Sequence, residues 1–209
     1  MAFSDFKNVH EVSEKYGTII TNGHFLPNNL KMSIPDLFMK DLEYSLRNKK
    51  RNPSEIAVSE NFISPMIRFV AQKHPHIIVW SREYYLKADE ELCGTPDYLF
   101  SYRERTDAIM LRNPLICISE AKIDNFIYAW GQTLAEMVAI QKLGYDFTVY
   151  GWATNGDIWQ FGKLENNVFT QHSESFSIAN NTKKIAGILD WIFTESVRNA
   201  EDFLERNKK

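Results

Sequence analysis

Cysteine is scarce in this chain, with only Cys93 and Cys117 among 209 residues. Both sit beside apolar residues and are expected as buried thiols, which excludes a disulfide-stapled scaffold. No apolar run approaches the roughly 20 residues that a membrane span needs. The stretch from Met1 to Lys15 lacks the basic start and apolar core of a secretory signal, so a cytoplasmic location is expected. The 9 glycines include no Gly-x-x-x-x-Gly-Lys run, so no nucleotide-driven motor is encoded. Ser64, Ser81 and Ser101 lack the Gly-x-Ser-x-Gly setting of a hydrolase nucleophile. His74 and His76 flank a proline and read as loop residues, and neither they nor the cysteines have zinc-site spacing. Positive charge is not in excess. A net charge of −3 argues against a protein that coats polyanions indiscriminately, but leaves open local recognition of nucleic acid.

What the chain does contain is the material of one folded domain. Its apolar fraction of 44% and charged fraction of 24% are ordinary for a packed core. No repeat, low-complexity segment or linker divides it, and one domain over residues 1–209 is expected. Residues 1–50 read as a helical lead-in, irregular with short elements up to Pro35, with a helix over Asp36–Arg47 carrying Leu37, Phe38, Leu42 and Leu46 on one side. A second helix fits Ser54–Lys73, with Pro65 as a kink or restart. Ile77–Trp80 and Glu83–Leu86 are rich in β-branched and aromatic residues and read as strands. Pro96–Ser101 and Leu115–Ala121 add two more. A long helix follows over Asp124–Leu143, with Gly144 as its stop. Phe147–Ala153 and Ile158–Leu164 then read as a hairpin around Asn155-Gly156. A helix over 182–205 closes the chain. The five tryptophans are expected in the core or at its rim. The order predicts an α/β fold: a mixed central sheet of about five strands flanked by helices, its core spanning 54–164, with a crossover after Leu115–Ala121.

Two polar interruptions carry chemistry. Gly94-Thr95-Pro96-Asp97 precedes a strand, and Ser119-Glu120-Ala121-Lys122 ends the apolar run Leu115–Ile118. Residues i and i+2 of a strand share a face, so Glu120 and Lys122 lie side by side. Charged residues rarely finish a core strand unless they are paired or used. With Asp97 on a neighbouring strand, two acids and a lysine converge, a set suited to a divalent cation and an attacking water. Taken singly, each motif is also an ordinary turn or surface ion pair.

Pro96-Asp97, the interval to Glu120-Ala121-Lys122 and the helix directly after it resemble the PD-(D/E)XK nuclease superfamily over about Glu60–Leu164. Members include restriction endonucleases and RecB-like nuclease domains. The segment Ala153–Trp159 is similar to the hairpin in the nuclease domain of type I restriction motor subunits. The resemblance implies a restriction-endonuclease-like fold and metal-dependent hydrolysis of phosphodiester bonds, with DNA the expected substrate. Asp97 and Glu120 would bind Mg²⁺ or Mn²⁺ with the Ala121 carbonyl as a third oxygen, and Lys122 would orient the attacking water. Glu60 matches the family's additional acid, and Gln132 stands where RecB-like members carry a glutamine. Those members usually place a tyrosine four residues on, where this chain has Glu136; Tyr128, one turn earlier, could share the face of Gln132 instead. The basic run holding Lys49, Lys50 and Arg51 reads as a solvated loop or as a contact to backbone phosphate. A homodimer is open, since many relatives cut duplexes as dimers. The competing expectation is a non-catalytic module, binding nucleic acid or protein, that retains the nuclease fold.

Overall fold

The computed structural model describes residues 2–49, 54–104, 114–121 and 125–208. Its centre is a seven-stranded mixed sheet in the order β1-β9-β8-β7-β6-β5-β2. The strands are β1 (Ile19–Gly23), β2 (Ile77–Ser81), β5 (Tyr98–Tyr102), β6 (Leu115–Ala121), β7 (Val149–Thr154), β8 (Ile158–Glu165) and β9 (Val168–Ser177). The short strands β3 (Leu86–Lys87) and β4 (Cys93–Gly94) form a separate hairpin. Helices are α1 (Val9–Tyr16), α2 (Asp36–Arg47), α3 (Glu55–Val58), α4 (Ser64–Ala71), α5 (Phe126–Lys142) and α6 (Ile178–Asn207). None among the described residues is long and apolar enough to cross a membrane.

The middle of the sheet follows the expected order. β2, β5 and β6 form an antiparallel meander, and β6 pairs in parallel with β7. A parallel pair needs a crossover, and α5 supplies it. Ser119 pairs with both Tyr98 and Trp152, so β6 lies between β5 and β7 with its acidic end level with Thr154.

α5 is buried nearly all round, every residue from Ala129 to Ile140 included. The sheet covers one side: a side chain at Gly151 would meet Thr133 and Ile118. The N-terminal segment covers the other. A Cβ on Gly131 would lie 2.7 Å from the Asn8 nitrogen and 2.9 Å from the Phe6 oxygen, so only glycine lets that chain cross here. A helix covered on both sides can be apolar all round, which explains its breadth of hydrophobic residues. On the opposite face, α6 packs over an aromatic layer in which Phe100, Trp152 and Phe193 meet at centroid distances of 5.0–6.2 Å.

Several expectations change. The long helix over Ser54–Lys73 is broken by a π-helical turn at Ser59–Ile63 between α3 and α4. Pro65 has no N–H to return to the Asn61 carbonyl, and the wider turn absorbs that missing bond. Glu83–Tyr85 is not a strand; pairing starts only at Leu86, and Tyr85 stands 60% exposed. The lead-in contains α1, capped by the Asn8 side chain, and the edge strand β1. β9 completes the sheet, so seven strands among the described residues stand where about five were expected. The turn between β7 and β8 has three residues, held by the Asn155 side chain accepting from the Asp157 and Ile158 N–H groups. α6 begins four residues before the expected start, with non-helical backbone at Asn181. Cys93 is half-buried rather than buried.

Candidate active site

Asp97 and Glu120 come together because β5 and β6 are antiparallel in the register Tyr98↔Ser119, which sets the preceding residue of one beside the following residue of the other. The Asp97 N–H donates to Glu120 Oε1 at 3.1 Å. In return, the Ala121 N–H donates to Asp97 Oδ2 at 3.0 Å. These reciprocal bonds fix each carboxylate against the backbone of the other strand. Glu120 is 2% exposed, and a carboxylate so deep is costly unless it is bonded or neutralised. Both acids lie on the α5 face, since Glu120 follows Ile118 by two residues and Ile118 faces Gly151 and Thr133.

Among the described residues, the cation bonded to Asp97 is Arg82. It leaves the end of β2 at φ +54°, and its N–H donates to the Asp97 carbonyl at 3.1 Å. Its Nε donates to Asp97 Oδ1 at 2.7 Å. The Asp97 side chain is 12% exposed and that of Arg82 38%, so the guanidinium forms the outer rim of the pair. Burial works to lower the Arg82 pKa, but the charge and hydrogen bond of Asp97, helped by Tyr98 and Glu55, hold it above its ordinary value. Sequence reasoning missed Arg82. The available signal was the apolar strand Ile77–Trp80 ending in Ser81-Arg82; pairing it antiparallel with Tyr98–Tyr102 sets Arg82 beside Asp97.

The remaining expected residues are placed unequally. Glu60 is exposed on the π-helical turn and lines a groove with Phe38, Asp41, Leu42 and Pro65, against α2. Its neighbour Ser59 turns inward instead, bonded to the Tyr98 hydroxyl. Of the acids on this segment, Glu55 is the one that acts on Arg82. Among the described residues no group of three or more His, Cys, Asp or Glu could hold a metal, so Glu60 is not gathered with Asp97 and Glu120. Gln132 is 7% exposed, and its Oε1 has no hydrogen-bond partner among the described residues. The Tyr128 hydroxyl donates to the Ser4 carbonyl at 2.5 Å, which ties that ring to the N-terminal segment. Lys49 lies over the Phe62 ring at 5.5 Å, and Phe62 borders the turn at Gly156, at the end of the sheet that also carries Glu120. Lys122, Lys50 and Arg51 fall outside the described residues.

The Asp97 and Glu120 carboxylates are hard oxygen donors of the kind that divalent cations take. Mg²⁺ commonly binds through one or two carboxylates and retains several waters, so a third acid is not required. No known protein-family model matches this chain, and no curated protein matches it.

Proposed function

We propose that this protein is a metal-dependent nuclease of restriction-endonuclease-like fold, hydrolysing phosphodiester bonds of DNA. The observation that carries the reading is the reciprocal backbone bonding of Asp97 and Glu120 at adjacent strand ends beside a crossover. The order of a broken helix, three antiparallel strands, a crossover helix and a parallel strand supports the fold. Strand ends next to a crossover are where open α/β sheets build sites.

Asp97, Glu120 and the Ala121 carbonyl would hold Mg²⁺, with Mn²⁺ as a substitute. Once bound, the cation supplies polarisation of the scissile phosphate and neutralises developing charge. Lys122, two residues past Glu120, would orient the attacking water. Arg82 keeps Asp97 aimed and offers exposed N–H groups to a phosphate oxygen. Lys49, at the same end of the sheet, would meet nucleic-acid backbone. The test is cleavage of plasmid and single-stranded DNA with Mg²⁺ or Mn²⁺ by wild type and by Lys122→Ala. Activity in the first and its loss in the second support the proposal. Equal activity removes Lys122 from the mechanism.

One observation favours a second reading, a non-catalytic binding module on the same fold. Both oxygens of Asp97 are already engaged, one by Arg82 and one by the Ala121 N–H. Titration with Mn²⁺ separates the two readings. Binding that Asp97→Asn abolishes supports the nuclease; the absence of binding supports the module.

A further inference from the structure

The opposite face of the sheet holds a second polar site, three strand spacings or roughly 14 Å from β6. Between the pairs Gly162↔Gln171 and Gln160↔Ser175, two steps along β8 oppose four along β9. Such bulges break the ladder and re-aim side chains. Here His172 and Glu174, two residues apart, both line a cavity of about 390 Å³ beneath α6. His24, Asn28, Phe176 and Lys184 complete its polar and aromatic wall.

Its geometry is built rather than incidental. His172 is 7% exposed and wedged among three rings. His24 and Phe25 meet it edge-on, each at 5.3 Å, and Phe176 stacks on it at 6.0 Å. The Phe25 N–H donates to His172 Nδ1 at 3.4 Å. A neutral imidazole accepting at Nδ1 carries its proton on Nε2, so this nitrogen is a donor, and it has no partner among the described residues. Lys184 lies 4.3 Å over the Phe176 ring and 3.4 Å from Glu174 Oε2. The loop that forms the outer wall is pinned to α6. The Met32 N–H donates to the Lys183 carbonyl at 3.0 Å, and a Cβ on Gly187 would lie 2.6 Å from the Lys31 nitrogen.

We propose that this cavity binds a phosphate-class oxyanion, through the His172 Nε2–H and the Lys184 ammonium with His24 at the rim. Three basic groups, His24, His172 and Lys184, face one acid, Glu174. The two imidazoles have no third ligand to make a metal site, since no such group exists among the described residues. The site stands independently of the chemistry assigned to Asp97 and Glu120, which face α5.

The test titrates wild type with inorganic phosphate at pH 6, following the histidine ring protons by NMR, with adenosine monophosphate as a second arm. Shifts at His172 and His24, with affinity falling about tenfold or more in Lys184→Gln and in His172→Gln, support the proposal. The Lys184 side chain is 36% exposed and lies outside the apolar core, so its variant tests the site with little disturbance of the core. Equal response to both probes identifies a free oxyanion as the occupant, and tighter binding of the nucleotide identifies a phosphate monoester. No shift at these histidines, or shifts unchanged in both variants, overturns it. So does a response to Zn²⁺ without one to either phosphate.

Discussion

The two faces of the sheet are built by different rules. Under α5, Asp97 and Glu120 sit at strand ends where the register runs regularly from Tyr98↔Ser119 to Phe100↔Cys117, shifting only at Ser101, and each is held by the other's backbone. Under α6, the site around His172 exists because the ladder breaks, and its walls come from β9, a loop after β1 and α6. Regular pairing places polar groups where sequence spacing says they will be. A bulge places them where no spacing rule reaches. The same α6 face also carries the aromatic layer, so it couples more strongly to stability than the acidic strand ends do.

The comparison breaks most visibly in function. Asp97→Asn is expected to lower metal-dependent cleavage by on the order of 10²–10³-fold, the scale of losing one electrostatic contributor to a transition state. Removal of divalent cations with EDTA should abolish cleavage in wild type, and re-addition of Mn²⁺ should restore it. His172→Gln should leave cleavage within about twofold, because its ring faces the other side of the sheet.

For stability the order of the faces reverses. Phe100→Ala, which empties the aromatic layer beside Trp152 and Phe193, should cost about 3–5 kcal/mol in urea denaturation. Gly187→Ala forces a methyl against the Lys31 backbone and should cost about 1–3 kcal/mol. An unchanged midpoint in that variant would mean that the loop is not pinned at α6.

A smaller effect depends on pH. Burial, with the neighbouring His24 charge, pushes the His172 pKa below its ordinary value against the pull of Glu174; Lys184 pushes it down further. The unfolded chain therefore takes up a proton near pH 6.5 before the folded one does. Stability is full above that pH and declines as pH falls through it. Urea midpoints at pH 7.5 and 5.5 should show the decline, and His172→Gln should flatten it. Saturating phosphate should oppose it, since a bound anion favours the protonated ring. Smallest of all is Lys208→Ala, which removes an exposed pair with Glu104 and should change stability by no more than about 1 kcal/mol.

Much of the site half was readable from the chain. Leu115–Ala121 is a strand with the expected bounds, and Asp36–Arg47 is the expected helix, because the local apolar pattern decides both. Asp97 and Glu120 meet because register follows from two antiparallel apolar strands. Arg82 was missed because its relevance depends on which strand pairs with β5, a long-range fact. Glu60 faces α2 because the π-helical turn before Pro65 resets the helix phase, which a 3.6-residue count does not anticipate. Tyr128 ties down the N-terminal segment, a partner 124 residues away. β9 was missed for a related reason. Its run Gln171–Ser175 is polar, since the bulge and an exposed flank relieve it of the apolar alternation that marks a strand.

The central claim is tested most directly by incubating purified wild type, Asp97→Asn and Lys122→Ala with supercoiled plasmid and Mg²⁺ or Mn²⁺. The account predicts cleavage by wild type alone, abolished by EDTA. No cleavage by wild type with either ion, or equal cleavage by all three proteins, would contradict it.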